Sequence, residues 1–205
     1  MIDRLLLVTD RKQAARSLAG ILGDAFAAGC RWASLREKDL PAEEQVQLAR
    51  ELLPLARRFG ARLTLHGDPN LAFAAGVDGV HLPAGSDVTA ARAALGPQKL
   101  IGISIHGAAE ARMLDRTVDY AVLGPVHATA SKPGYGPALG VEGVRLIAGA
   151  TPVPIIAIGG ITPGRVGDVM SAGAAGVAVM GSVMRALDPG AEVRALLAAL
   201  TGQSC

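Results

Sequence analysis

The chain has 205 residues, of which half are apolar and 19% charged, a balance that excludes intrinsic disorder. Twenty basic residues against 18 acidic ones leave a formal net charge of +2, so the chain has no polyanion-binding balance and any anion site must be local. Only 3% of the residues are aromatic, which argues against base-stacking nucleic-acid modules and leaves the core to Ala, Val, Leu and Ile.

The elements alternate from end to end. LLLVTD (5–10) reads as a strand and 14–28 as a helix closed by Gly29. RWASLREK (31–38) is a second strand running into charge. A helix over 41–58 follows, opened by Pro41 and the acids Glu43 and Glu44. RLTLH (62–66) and DGVHL (78–82) are the third and fourth strands, with helices over 68–75 and 87–95. KLIGISIH (99–106) precedes a helix near 107–115, and DYAVLGPV (119–126) a Gly/Pro-rich loop over 127–140 and a helix near 141–149. PIIAIGG (154–160), a helix near 163–172, AGVAVMG (175–181) and a helix over about 183–200 complete the chain.

Eight such units without a linker predict one α/β domain over 1–205, a closed (β/α)8 TIM barrel of parallel strands. A doubly wound sheet would carry a glycine fingerprint after its first strand, where this chain has Thr9-Asp10-Arg11. Cys30 and Cys205 have no metal-ligand partner at short spacing, which reads as a reduced, cytoplasmic protein. The short apolar run of MIDRLLLVTDRK is neither a signal peptide nor a spanning helix.

Barrel active sites lie at the C-terminal ends of the strands. All four histidines fall there: His66, His81, His106 and His127. So do Gly159-Gly160 and Gly181-Ser182, after the seventh and eighth strands, where barrels frequently bind phosphate on backbone N–H groups. The plain alternative is a tight turn that needs glycine. Arg36 and Lys38 share a face at period two and can point at one anion, unless Glu37 or Asp39 pairs with one of them. The loop 127–140, with Ser131 and Lys132, reads as a lid or ligand clamp.

In this order, LLLVTD, SLREKDL, GVDGVHLPAGS, IGISIH, YAVLGPVHATASKPG, VPIIAIGGITPGRV and AGVAVMGSVM resemble the thiamine phosphate synthase/TenI family over nearly the whole chain. The resemblance implies a (β/α)8 barrel and one of two activities. Synthases join a pyrimidine diphosphate to a thiazole phosphate with magnesium and release pyrophosphate. TenI-type members tautomerise the thiazole carboxylate phosphate, or lack a known activity. Arg36 and Lys38 match a QLREK-type motif, with Ser34 in the glutamine's place, and Thr129, Ser131 and Lys132 resemble the loop that holds the two phosphates.

The synthase pattern also needs Asn-Asp after the third strand and an aspartate after the fourth, to hold the magnesium. Here the chain reads His66-Gly67 and Pro83-Ala84-Gly85-Ser86, with Asp68 and Asp87 displaced. Both departures look like the TenI branch, whose acid/base histidine maps onto His106.

The expectation is therefore a TenI-like aminothiazole tautomerase of thiamine biosynthesis, with His106 and His66 catalytic and no metal or cofactor. Arg36, Lys38, Ser104, Thr129, Ser131, Lys132, Gly159, Gly160, Gly181 and Ser182 would bind phosphate and substrate. The alternatives are a synthase that holds Mg2+ on Asp68 and Asp87, and a non-catalytic, regulatory thiazole phosphate binder. A hydrolase with a metal on the four histidines lacks a fixed carboxylate partner. The expected partner is a small phosphorylated molecule, not nucleic acid or membrane, with a homo-oligomer left open.

Overall fold

Each β-type run is short and apolar because both of its faces are covered. In the computed structural model, which describes residues 2–129 and 137–202, the strands are β1 (Leu5–Val8), β2 (Trp32–Leu35), β3 (Arg62–His66), β4 (Gly79–Leu82), β5 (Leu100–Ile105), β6 (Tyr120–Leu123), β7 (Ile155–Ile158) and β8 (Gly176–Val179). They pair in parallel in chain order, and β8 closes on β1 with Leu6 opposite Ala178. The fold is the expected (β/α)8 barrel.

The helices are α1 (Leu18–Ala27), α2 (Ala42–Arg58), α3 (Pro69–Ala75), α4 (Val88–Leu95), α5 (Ala108–Arg112), α6 (Gly140–Ala148), α7 (Pro163–Ser171), α8 (Gly181–Met184) and α9 (Pro189–Thr201). Two boundaries differ from the sequence reading. The first helix begins at Leu18 rather than 14, because the Ser17 hydroxyl accepts the Gly20 N–H and caps it there. Residues before the cap cross to the eighth unit, where the Ala15 N–H donates to the Met184 carbonyl. The single helix expected over 183–200 is two. Asp188 accepts the Ala191 N–H at 2.8 Å and Pro189 takes the first helical position, which restarts the helix as α9.

Outward strand residues pack against the helices, and alternate residues point into the barrel. The interior cluster is Leu6, Val8, Trp32, Tyr120, Val122, Ile156 and Ala178. Trp32 and Tyr120 begin their strands and meet edge to face, with ring centroids 4.5 Å apart. Room for them comes from β5: a Cβ on Gly102 would lie 2.0 Å from the Tyr120 ring. The two rings thus fill the N-terminal side of the barrel.

Ion-paired aspartates tie that side together. Asp78 accepts the Leu63 N–H at 2.8 Å and pairs with Arg57, and Asp119 accepts the Ile101 N–H at 2.7 Å and pairs with Arg92. Polar groups at this end of a barrel serve stability.

Gly102→Ala should overpack the interior and destabilise by roughly 1–3 kcal/mol. Urea unfolding checks this. Pairing it with Tyr120→Leu should cost less than the sum of the two single changes.

Candidate active site at the barrel mouth

Above the aromatic plug small and polar side chains such as Ser34 and Ser104 stand among Val8, Val122 and Ile158, and a cavity of about 380 Å3 opens at the C-terminal end of the strands. His81 on β4 forms part of its floor. The ring stacks on Tyr120 with centroids 5.6 Å apart, lies 4.7 Å from the His66 ring and puts Nε2 2.9 Å from the Ser104 hydroxyl. Only 3% of His81 is exposed. Burial, and secondarily the Lys38 charge, push its pKa down to about 3, so the imidazole is neutral at physiological pH. Ser34 lies beside it in the wall, its buried hydroxyl without a hydrogen-bond partner among the described residues.

The charged segment after β2 is sorted by side. Glu37 is buried, accepting from the Thr9 hydroxyl at 2.7 Å and from the Arg11 N–H at 3.1 Å. Burial raises the Glu37 pKa, while the bonds from Thr9 and the Arg11 backbone oppose that rise. Asp39 pairs with Arg11 and Lys12. The acids thus turn to the β1–α1 loop. Among the described residues Arg36 and Lys38 have no ion pair with either. They are near each other: burial, then the Arg36 charge, lowers the Lys38 pKa. Arg36 lines the cavity, and Lys38 lies beyond its lining, close enough to act on His81.

Across the mouth, the loop after β6 lies directly on the turn after β7. The Val126 N–H donates to the Ile158 carbonyl and the His127 N–H to that of Gly159. A Cβ on Gly160 would lie 2.6 Å from the Ala128 carbonyl oxygen, so packing alone demands glycine there. Among the described residues no acceptor is paired with the N–H groups of Gly160, Gly181 or Ser182, and the Ser182 hydroxyl is buried without a partner. Gly159, Gly160, Gly181 and Ser182 all line the cavity.

Two arginines that sequence reasoning missed line it too. Arg165, in the first turn of α7, donates to the Gly160 carbonyl at 2.7 Å, and Arg185, just after α8, bonds Gln13. The legible signal was the spacing: five residues past Gly160 falls within the helix that starts at the turn.

His106, Thr129, His66 and Ser104 also line the cavity. Nδ1 of His106 lies 3.0 Å from the Gly124 carbonyl, which only accepts, so that nitrogen carries a proton. His127 is not part of the lining, and its pKa is lowered by burial and then by Arg165. Ser131, Lys132 and half of the expected lid fall outside the described residues.

The displaced aspartates do not reach the site. Asp68 caps α3, accepting the Asn70 N–H at 2.7 Å, and Asp87 caps α4, accepting the Ala90 N–H at 2.9 Å. Among the described residues the cavity lining holds three arginines and three histidines and no carboxylate. Among the described residues no three His, Cys, Asp or Glu side chains are grouped to hold a metal. A magnesium site on Asp68 and Asp87, and a four-histidine metal site, both disagree with this geometry.

The profile of the thiamine monophosphate synthase family matches residues 5–183. The chain belongs to that family. It is 41% identical over 200 residues to a thiamine-phosphate synthase of Xanthobacter autotrophicus, covering 96% of this chain and 94% of that one. A thiamine-phosphate synthase of Moorella thermoacetica is 37% identical over 202 residues, covering 97% and 96%. Among solved structures, the thiamine phosphate pyrophosphorylase of Pyrococcus furiosus superposes with a TM-score of 0.86 at 26% identity, covering 98% of this chain and 97% of that one.

These relatives overturn the tautomerase expectation, since they carry the synthase name over nearly their full length. That expectation rested on Gly67 and the 83–86 stretch. Neither lines the cavity. Among the described residues of this family member, no helix is long and apolar enough to cross a membrane.

The His81 pKa sets a pH dependence. Below its ordinary value of 6.5 the unfolded chain takes up a proton that the folded chain refuses until about pH 3. Stability should therefore fall as pH drops through that window, by up to about 1.4 kcal/mol per unit, and show no His81 contribution above it. Urea midpoints against pH should be flatter in that window for His81→Gln than for the wild type.

Proposed function

We propose that the chain is a cytoplasmic transferase that forms thiamine phosphate from a pyrimidine diphosphate and a thiazole phosphate. One observation carries the reading: two groups of hydrogen-bond donors and cations face a single mouth. Arg36 and Lys38 stand after β2. The N–H groups of Gly160, Gly181 and Ser182 stand after β7 and β8, with Arg165 and Arg185 beside them. One monophosphate and one diphosphate match two such groups. Family membership and the names of the relatives support the same pairing.

The thiazole phosphate docks on the β7 and β8 turns, where N–H groups, the Ser182 hydroxyl and arginine charge meet its oxygens. The diphosphate lies toward Arg36 and Lys38. Joining the two halves forms a bond from the thiazole ring nitrogen to the pyrimidine methylene carbon. The carbon–oxygen bond to the diphosphate breaks, and pyrophosphate leaves with the electron pair. The balance needs no proton transfer. His106 and His66 therefore act as walls and hydrogen-bonding partners that orient the rings, with Ser104 and Thr129 beside them. Holding both reactants in line supplies much of the rate, and fixed cations stabilise the charge that develops on the departing group.

A divalent cation would neutralise the diphosphate, but the side chains present do not fit one, and no step here runs through it.

The test is to incubate the pure protein with both substrates and follow thiamine phosphate by mass spectrometry. No product over the uncatalysed background would overturn the reading. Gly160→Asp is a poor probe because its Cβ would meet the Ala128 carbonyl. Arg165→Ala and Ser182→Ala should each raise the KM for the thiazole phosphate by about tenfold or more, as expected for losing a hydrogen bond to a charged group. The KM for the pyrimidine diphosphate should change little. Arg36→Ala should show the opposite split.

A further inference from the structure

We propose that Arg36 and Lys38 hold the diphosphate group without a resident divalent cation, in the role that a carboxylate-held metal would otherwise fill. The inference rests on the synthase reading for the identity of the anion.

Among the described residues, the carboxylates that follow strands β1 to β5 are each already engaged. Asp10 accepts from Gln13 and from the Lys12 N–H, Glu37 from Thr9 and the Arg11 N–H, and Asp39 from Arg11. Asp68 and Asp87 cap their helices, and Glu110 accepts the His106 N–H at 2.5 Å. Magnesium binds through one or two carboxylates plus substrate oxygens, in near-ideal octahedral geometry. Among the described residues the cavity wall carries three arginines and no carboxylate, so it offers such an ion no anionic ligand.

The position expected to carry the first metal-binding acid is Gly67, whose φ of +128° suits glycine and strains any other residue. A carboxylate cannot be restored there without moving the backbone.

The cations supply the converse argument. The acids that could neutralise Arg36 and Lys38 face the β1–α1 loop, and the two positive groups stand close together in a partly desolvated rim. Bringing like charges together without a counter-anion is unfavourable, and a pyrophosphate removes that repulsion on binding. Arg36 presents a planar fork for two oxygens, and Lys38 a mobile point charge.

The experiment is calorimetric titration of inorganic pyrophosphate into the full-length protein, once in EDTA and once in excess Mg2+. Binding is expected in EDTA, tightened no more than about threefold by Mg2+. Arg36→Ala and Lys38→Ala should each weaken it at least about tenfold in EDTA, with unchanged thermal unfolding as the folding control. Asp68→Asn and Asp87→Asn retain the helix caps and should leave affinity within about twofold. Binding that appears only with Mg2+, or that is lost in either Asn variant, overturns the proposal. So does binding in EDTA that is indifferent to both Ala variants.

The two readings fail separately. Arg36-dependent, EDTA-resistant pyrophosphate binding without thiamine phosphate formation sinks the synthase reading and keeps the anion site. Product formation with pyrophosphate binding confined to Mg2+ keeps the synthase and sinks this inference.

Discussion

The contact between Trp32 and Tyr120 decides where everything else can go. An eight-stranded barrel is just wide enough for side chains to fill. In a chain with one Trp and two Tyr, placing two of these three residues in the interior is a large commitment of volume. Gly102 yields that volume on β5, and Ala178 keeps β8 thin. Above the rings Ser34 and Ser104 join Val8 and Val122 around the cavity, with the flat ring of His81 laid on Tyr120. The packing that fills one end of the barrel therefore leaves the cavity at the other, and its upper face becomes the floor of the site.

Charge is then sorted around that floor rather than balanced across it. Along Arg36, Glu37, Lys38 and Asp39 the acids turn to Thr9, Arg11 and Lys12 on the neighbouring loop, and the bases are left toward the mouth. The strand ends at Leu35 and the chain turns at once, the Leu40 N–H donating to the Glu37 carbonyl, so one four-residue stretch seals the β1–β2 corner and lends cationic charge to the rim. The price of burying Glu37 is its desolvation, offset by the donors that Thr9 and Arg11 give it. On the far side of the mouth the donors are backbone N–H groups, which need no side chain but do need a turn tight enough to expose them.

Much of this was legible in the sequence, because the barrel is written in periodicity. Eight short apolar runs alternating with helical segments gave the topology, and strand ends gave the site's location. Glycine pairs were legible too, although at Gly160 they encode contact with the Ala128 carbonyl as well as any anion. What escaped was whatever depends on three-dimensional direction. The role of His81 was hidden because a histidine inside DGVHL reads as one more strand residue, and only the barrel's curvature turns it onto Tyr120. Arg165 was hidden because it belongs to a helix, and Arg185 because it follows one. The break at Asp188 was hidden behind an apolar helical pattern that continues on both sides of it. The family resemblance was legible, but the branch within it was misread from loop residues that do not line the cavity.

That misreading separates two kinds of inheritance. The shape of the site depends on contacts that tolerate no change: the Gly160 turn against the loop after β6, and the Gly102 gap beneath Tyr120. Such positions are fixed by the packing of the barrel itself. The means of neutralising a substrate's charge depends on a handful of rim side chains with open space around them. A Cβ on Gly67 would meet nothing within 4 Å, so volume does not require glycine there; only the backbone conformation does. The residue at that place can therefore differ with the local backbone while the barrel, the floor and the β7 and β8 turns stay as they are. Reaction class and charge-handling device are then carried by different residues, and a chain can keep the first while changing the second.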